Sequence, residues 1–241
     1  MYALHIANKN YSSWSLRPWI LMKELAIPFQ EILSPFQEGS NWTEFRKFSP
    51  SGLVPCLVAG EEKIWDSLGI TEYLAENHNN IWPQDLDART WARCASSEMH
   101  SGFSALREIC PMNCGIMAEL KGQPESLVRN VARLDELWTE GFTRFGGPYL
   151  AGKKFTAVDA FFTPVAFRIR SYDLELSEKS INYTKLLLSL NSVKKWEQQA
   201  LQEVWREPGH EDDINKYAVI IEDKRKGEQG QEKHGGGTIK Q

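Results

Sequence analysis

Leu53-Val54-Pro55-Cys56-Leu57-Val58 and, shortly after it, Ile64-Trp65-Asp66-Ser67-Leu68-Gly69-Ile70-Thr71-Glu72-Tyr73-Leu74 decide how the first third of this chain folds. The first stretch reads as a turn that feeds a buried strand through a proline. The second reads as a strand edge that stops at an acid and a hydroxyl and then opens a helix. Together they set free backbone groups beside a helix N-terminus, a place to hold a small peptide with a free carboxylate. Upstream, Tyr11-Ser12-Ser13-Trp14-Ser15-Leu16-Arg17 puts hydroxyls at the mouth of another helix.

Working outward, Tyr2 to Ile6 alternates as a strand, Leu16 to Leu25 reads as a helix, and Ile27-Pro28 ends it. Phe29 to Leu33 is a second strand, and Trp42 to Phe48 a short helix before the turn cluster Ser49-Pro50-Ser51-Gly52. Pro55 to Val58 and Lys63 to Trp65 read as a hairpin, and Ser67 to Glu76 as a helix. That order is the thioredoxin-like α/β arrangement, expected over residues 1–78, with a linker over 79–87.

Helical periodicity then takes over. Trp91, Ala95, Met99, Gly102 and Leu106 form one stripe, Leu127 to Phe145 a second and Val158 to Tyr172 a third, so 88–210 is expected to be an all-α bundle. Pro164 is expected to kink the third helix. Residues 211–241 read as a polar, mobile tail, with one short ordered segment near Tyr217 to Ile221.

Composition narrows the function. The 241 residues carry a formal charge of -4, which speaks against a nucleic-acid partner. No apolar run reaches the roughly 20 residues that span a bilayer, and no basic start precedes an apolar stretch, so neither membrane nor secretion is expected. Cys56, Cys94, Cys110 and Cys114 form no dense framework; a reducing, cytoplasmic setting is the expectation. The histidines are scattered, so no metal site is expected. Cys110 and Cys114 have three residues between them, not the two of a redox pair.

Ser12, ahead of an amphipathic helix, has two readings: an N-cap, or a hydroxyl that steadies a nearby thiolate. A free thiol titrates near ~8.5, and lowering that by about two units takes roughly 3 kcal/mol. One hydrogen bond to the charged sulfur supplies about 1.5–3 kcal/mol and a helix end about 0.3–1 kcal/mol. Ser67 offers a hydroxyl and an N–H to an anion, and Asp66 accepts from an ammonium; both also fit a plain helix cap.

These motifs resemble the cytosolic glutathione transferases of the serine type. With Ser12 at that family's catalytic serine, Ala26 falls on its usual closing glycine; Ser13 is the second choice for the hydroxyl. Ser12-Ser13-Trp14-Ser15 is also similar to the zeta-class Ser-Ser-Cys-Ser signature, with Trp14 replacing the cysteine. The resemblance implies a cis bond before Pro55, Val54 backbone groups on the cysteinyl unit of glutathione, and Asp66 and Ser67 on its γ-glutamyl end. Leu53 replaces a usual lysine or glutamine. It further implies conjugation of glutathione to an electrophile, with an apolar pocket of Trp14, Met99, Phe103 and Leu106, residues that equally suit a core. A homodimer is implied as well. The same clamp would serve a maleylacetoacetate isomerase, a glutathione-dependent peroxidase or reductase, or a non-catalytic ligand-binding module. Arg17 reads as either a ligand or dimer contact or a solvated side chain. Thr156 and Asp159 have capping-box spacing and are assigned to folding, at about 0.5–2 kcal/mol.

Overall fold

The computed structural model describes residues 1–37 and 39–225. Alternation buries Leu4 and Ile6 of β1 (Tyr2–Ile6) beneath α1 (Ser13–Glu24), whose residues Ser15 to Met22 are all buried. There follow β2 (Phe29–Leu33), α2 (Trp42–Phe45), β3 (Cys56–Ala59), β4 (Glu62–Ile64) and α3 (Ser67–Asn77). The sheet runs β2-β1-β3-β4. β1 is parallel to β2, with Leu4 beside Glu31, and antiparallel to β3, with Leu4 beside Leu57. β3 and β4 form the expected hairpin. Ala26 closes α1 at φ +53°, a left-handed position that favours glycine, where a Cβ costs roughly 1 kcal/mol.

The helical part comprises α4 (Leu86–Ser101), α5 (Ser104–Ile109), α6 (Glu125–Phe145), α7 (Ala157–Tyr172), α8 (Glu178–Ser189), α9 (Asn191–Gln202) and α10 (Pro208–Tyr217). The stripe from Trp91 to Leu106 is not one helix. A Cβ on Gly102 would lie 2.7 Å from the Glu98 carbonyl oxygen, and Phe103 follows at φ +53°, so the chain turns between α4 and α5. α7 runs through the centre, buried everywhere but Arg170. Its start is fixed by Asp159, which accepts from Leu150 N (3.1 Å), Thr156 N (2.9 Å), Thr156 Oγ1 (3.3 Å) and the Tyr183 hydroxyl (2.8 Å).

Two expectations are corrected. The second region is not wholly helical, because β5 (Ile116–Leu120) pairs antiparallel with β6 (Ala218–Asp223), Glu119 beside Val219. The segment from 211 to 225 is therefore no loose tail. Glu207 caps α10 at His210 N, Ile214 and Ala218 are buried, and β6 gains a ladder only because β5 lies beside it. The rest of the expected tail, 226–241 with Gly235-Gly236-Gly237, lies outside the described residues.

The two parts meet at Lys9, 3% exposed despite its charge. Its ammonium donates to Glu31 (2.5 Å) and Gln199 (2.6 Å), and its carbonyl accepts from the Trp196 indole (2.9 Å). Trp196 in turn meets Trp19 edge-on at 5.0 Å, so α1 and α9 share one core.

Candidate functional site

The turn Ser49-Pro50-Ser51-Gly52 closes through Gly52 N to the Ser49 carbonyl at 3.0 Å. Gly52 sits at φ +66°, and a Cβ there would come within 2.5 Å of the Trp42 ring. The chain then runs through Leu53 and Val54 into a cis Val54–Pro55 bond and β3. Among the described residues no hydrogen bond uses the Val54 N–H or C=O. Both remain for an extended ligand.

Opposite lies the start of α3. The Trp65–Asp66 bond is also cis. Asp66 is the N-cap: Oδ1 accepts from Leu68 N (2.9 Å) and Gly69 N (3.2 Å). Its Oδ2 faces His100 Nε2 at 3.2 Å, a contact that reaches across from α4. Ser67 is fully buried, and its Oγ accepts from Arg17 Nη1 at 3.5 Å, leaving the hydroxyl proton free. The Ser67 N–H has no partner among the described residues, as expected in a first helical turn. Between the two walls is a cleft of about 320 Å³, lined by Leu53-Val54-Pro55 and Ser51, by Trp65-Asp66-Ser67, and by Trp14 and His100. So Asp66 acts as the cap of α3, and the Ser67 N–H beside it is unbonded among the described residues.

The hydroxyls of Ser12 and Ser13 differ. Ser12 is 5% exposed and donates to Ser15 Oγ at 2.7 Å, which also accepts from Ala7 N at 3.3 Å. It makes no side-chain cap bond. Ser13, the first helical residue, is part-exposed and accepts from Arg168 Nη2 at 3.3 Å, so its own proton is available. Neither lines the cleft; Trp14 does. The N–H groups of Trp14 and Ser15 carry no hydrogen bond among the described residues, so the mouth of α1 is electropositive. The loop ahead of α1 is held from the far end of the chain. Glu203 accepts from Lys9 N (2.6 Å) and Asn10 N (3.2 Å); the Tyr11 hydroxyl donates to Glu211 (2.7 Å) and accepts from Arg225 (3.0 Å).

Of the expected apolar pocket only Trp14 reaches the cleft. Met99, Phe103 and Leu106 are 1%, 6% and 0% exposed and belong to the core, Met99 on the buried face of α4 and the other two beyond the break at Gly102. Arg17 is not solvated: it is 3% exposed, with its guanidinium 4.2 Å from the Trp14 ring centroid and 4.8 Å from that of Phe161. Sequence reading missed His100, Arg107 and Arg168. Only the aromatic and basic residues around Met99 and Arg107 hinted at them, and nothing local tied those residues to Ser13 or Asp66.

Burial pulls the His100 imidazole down; Asp66 opposes this, while Arg17 and Arg107 reinforce it. Its folded pKa therefore lies below the unfolded value of about 6.5, and protonation favours the unfolded chain. Relative to H100Q, the native chain is expected to lose stability as pH drops from about 7 to about 5, by thermal melts; the raised Asp159 carboxyl acts in the opposite direction but is common to both proteins. An unchanged slope in H100Q would reject the assignment.

Burial pushes the Cys110 thiol up to about 12, and Cys114, wholly buried, is raised further. Both thiols are fully buried, the setting in which a cysteine is inert. Among the described residues no group of histidines, cysteines and acids could hold a metal ion, and no helix is long and apolar enough to cross a membrane.

The family model described as "Glutathione S-transferase, N-terminal domain" matches residues 11–77, the stretch that carries both walls of the cleft. Glutathione S-transferase 1 of Dianthus caryophyllus is 27% identical over 183 residues, covering 70% of this chain and 80% of its own. The probable maleylacetoacetate isomerase of Caenorhabditis elegans is 24% identical over 174 residues, covering 68% and 77%. Among solved structures, a glutathione transferase homologue from Burkholderia with bound glutathione superposes with a TM-score of 0.65 at 17% identity, covering 84% of this chain and 99% of that one. A theta-class enzyme from Xanthomonas axonopodis pv. citri, also with glutathione bound, gives 0.60 at 19% identity, covering 85% and 99%.

Proposed function

Since this chain belongs to the glutathione S-transferase family, we propose that it lays glutathione along Val54 and attacks an electrophilic small molecule with the thiolate formed at the Ser12–Ser13 turn. The observation that carries this reading is the pairing of unbonded Val54 backbone groups with an unbonded Ser67 N–H across one cleft. The cysteinyl unit pairs with Val54 like an added strand. The γ-glutamyl carboxylate takes the Ser67 N–H and hydroxyl at the start of α3, with the Arg17 charge behind them. The ammonium takes the outer Asp66 oxygen, in competition with His100.

Between the two hydroxyls we assign the thiolate to Ser13, because Ser12 already donates to Ser15. The thiol proton leaves to solvent, the sulfur lone pair forms the new bond to carbon, and the gain comes chiefly from holding both reactants together. Residues 1–78 form the glutathione-binding part and the helical remainder the co-substrate part. A cytoplasmic homodimer, with its site near the subunit interface, belongs to the same proposal. A cysteine-based reductase finds no support at this site, where the nearest β-strand thiol, Cys56, is fully buried.

The test is S67A with two ligands. Glutathione is expected to bind about tenfold more weakly, while cysteinylglycine, which lacks the γ-glutamyl unit, is unaffected by the substitution. Equal weakening of both, or of neither, by calorimetry would reject the placement.

A further inference from the structure

Arg17 from α1, Arg107 from α5 and Arg168 from α7 converge behind the cleft. Arg17 and Arg168 are 3% and 4% exposed, and the Nε of each is buried without a partner. The Arg107 guanidinium lies 5.4 Å from the centroid of the same Trp14 ring that Arg17 stacks on at 4.2 Å. Arg168 reaches Ser13 and the Pro164 carbonyl. Arg107 donates its Nη1 to the carbonyls of Met99 (3.2 Å) and His100 (3.0 Å), which fixes its plane at the end of α4. None of the three has a salt bridge to a carboxylate among the described residues.

Unpaired charge of one sign is costly to bury. Burial, then Arg168 and Arg107, pulls the Arg17 guanidinium down to about 9, with Asp66 the single opposing charge. Burial pulls Arg168 to about 10. Such a cluster is stabilised when an anion arrives. The γ-glutamyl carboxylate at Ser67 answers Arg17 alone. Arg107 and Ser13 are part-exposed and lie outside the cleft lining, Arg107 against the Trp14 ring that does line it and Ser13 at the mouth of α1 where the thiolate is placed.

Resting on the transferase reading above, we infer that the second substrate is a carboxylate-bearing electrophile, its carboxylate held beside Trp14 by Arg107 with the buried Arg168 and Arg17 charges behind it. A carboxylate there sets the reacting carbon over the sulfur. With a chloronitrobenzoate, the C–S bond forms, the C–Cl bond breaks and chloride leaves with the bonding pair, the thiol proton having gone to solvent.

The experiment compares chloronitrobenzoate with the matching chloronitrobenzamide, each kcat/KM divided by its uncatalysed rate with glutathione. The benzoate is expected to be favoured about tenfold or more, and R107M to bring the ratio close to one. Equal turnover of both probes by the native chain, or a ratio unmoved in R107M, overturns the inference while leaving the transferase reading standing. If R107M fails to fold, R107K carries the same test: a preference cut several-fold supports the inference and an unchanged one overturns it. If neither probe reacts although glutathione binds, calorimetry with nitrobenzoate decides. Binding that is lost in the Arg107 variant supports the carboxylate site, and no binding overturns it.

Discussion

In the S12A/S13A double variant, bound glutathione is expected to ionise about two pH units higher than in the native protein, with conjugation at neutral pH down about 10²-fold. Two units correspond to about 3 kcal/mol, the size of one hydrogen bond to a charged sulfur. The free N–H groups at the start of α1 survive the substitution, so some activation remains. The single variants separate the roles. S13A is expected to show most of the loss, because its proton is free while its oxygen accepts from Arg168. S12A is expected to lose less, since its hydroxyl is committed to Ser15. Thiolate absorbance of the binary complex against pH, read beside kcat/KM, measures both. An unshifted titration in the double variant would remove the serines from the mechanism.

The second large effect is on folding. D159A is expected to cost about 3 kcal/mol, more than a helix cap alone, and to lower Tm by about 6–12 °C. Asp159 is fully buried and takes four donors from three separate segments. Burial pushes its carboxyl up to about 6, against the pull of those donors, and it stays ionised at neutral pH. Removing it strands the Leu150 and Thr156 amides and the Tyr183 hydroxyl in the core. Y183F is expected to cost about 1 kcal/mol, since one donor is lost and the other three keep their acceptor. A melt of D159A within a degree or two of native would contradict this, and glutathione affinity of whatever remains folded should be unchanged.

Much of the first 78 residues was legible because their structure is local. Asp66 caps the helix that follows it, Gly52 turns the strand that follows it, and period-two burial in Tyr2–Ile6 needs no distant information. The pocket residues were harder. Met99, Phe103 and Leu106 fit a cleft or a core equally well on a helical wheel, and only their packing in the folded chain settled which. The stretch Glu178–Gln202 falls within the expected all-α region, but no individual helix was placed there, although α8 and α9 both form. Its stripe is diluted by polar residues that only packing against α6, α7 and α1 makes intelligible. The ordered segment near Tyr217 to Ile221 was expected, but not that it is a strand, for a related reason: a strand of mixed polarity is stable only once β5, about a hundred residues earlier, lies beside it.

The sequence by itself determined the turn into β3 and the Asp66 cap of α3, because those local geometries follow from neighbouring residues, while the cis bond at Pro55 was implied only by the family resemblance. Tertiary structure alone decided which serine keeps its proton and that Arg17, Arg107 and Arg168 meet. Those outcomes depend on side chains brought together from three helices, and the field of a buried charge is set by distance in space rather than by position along the chain.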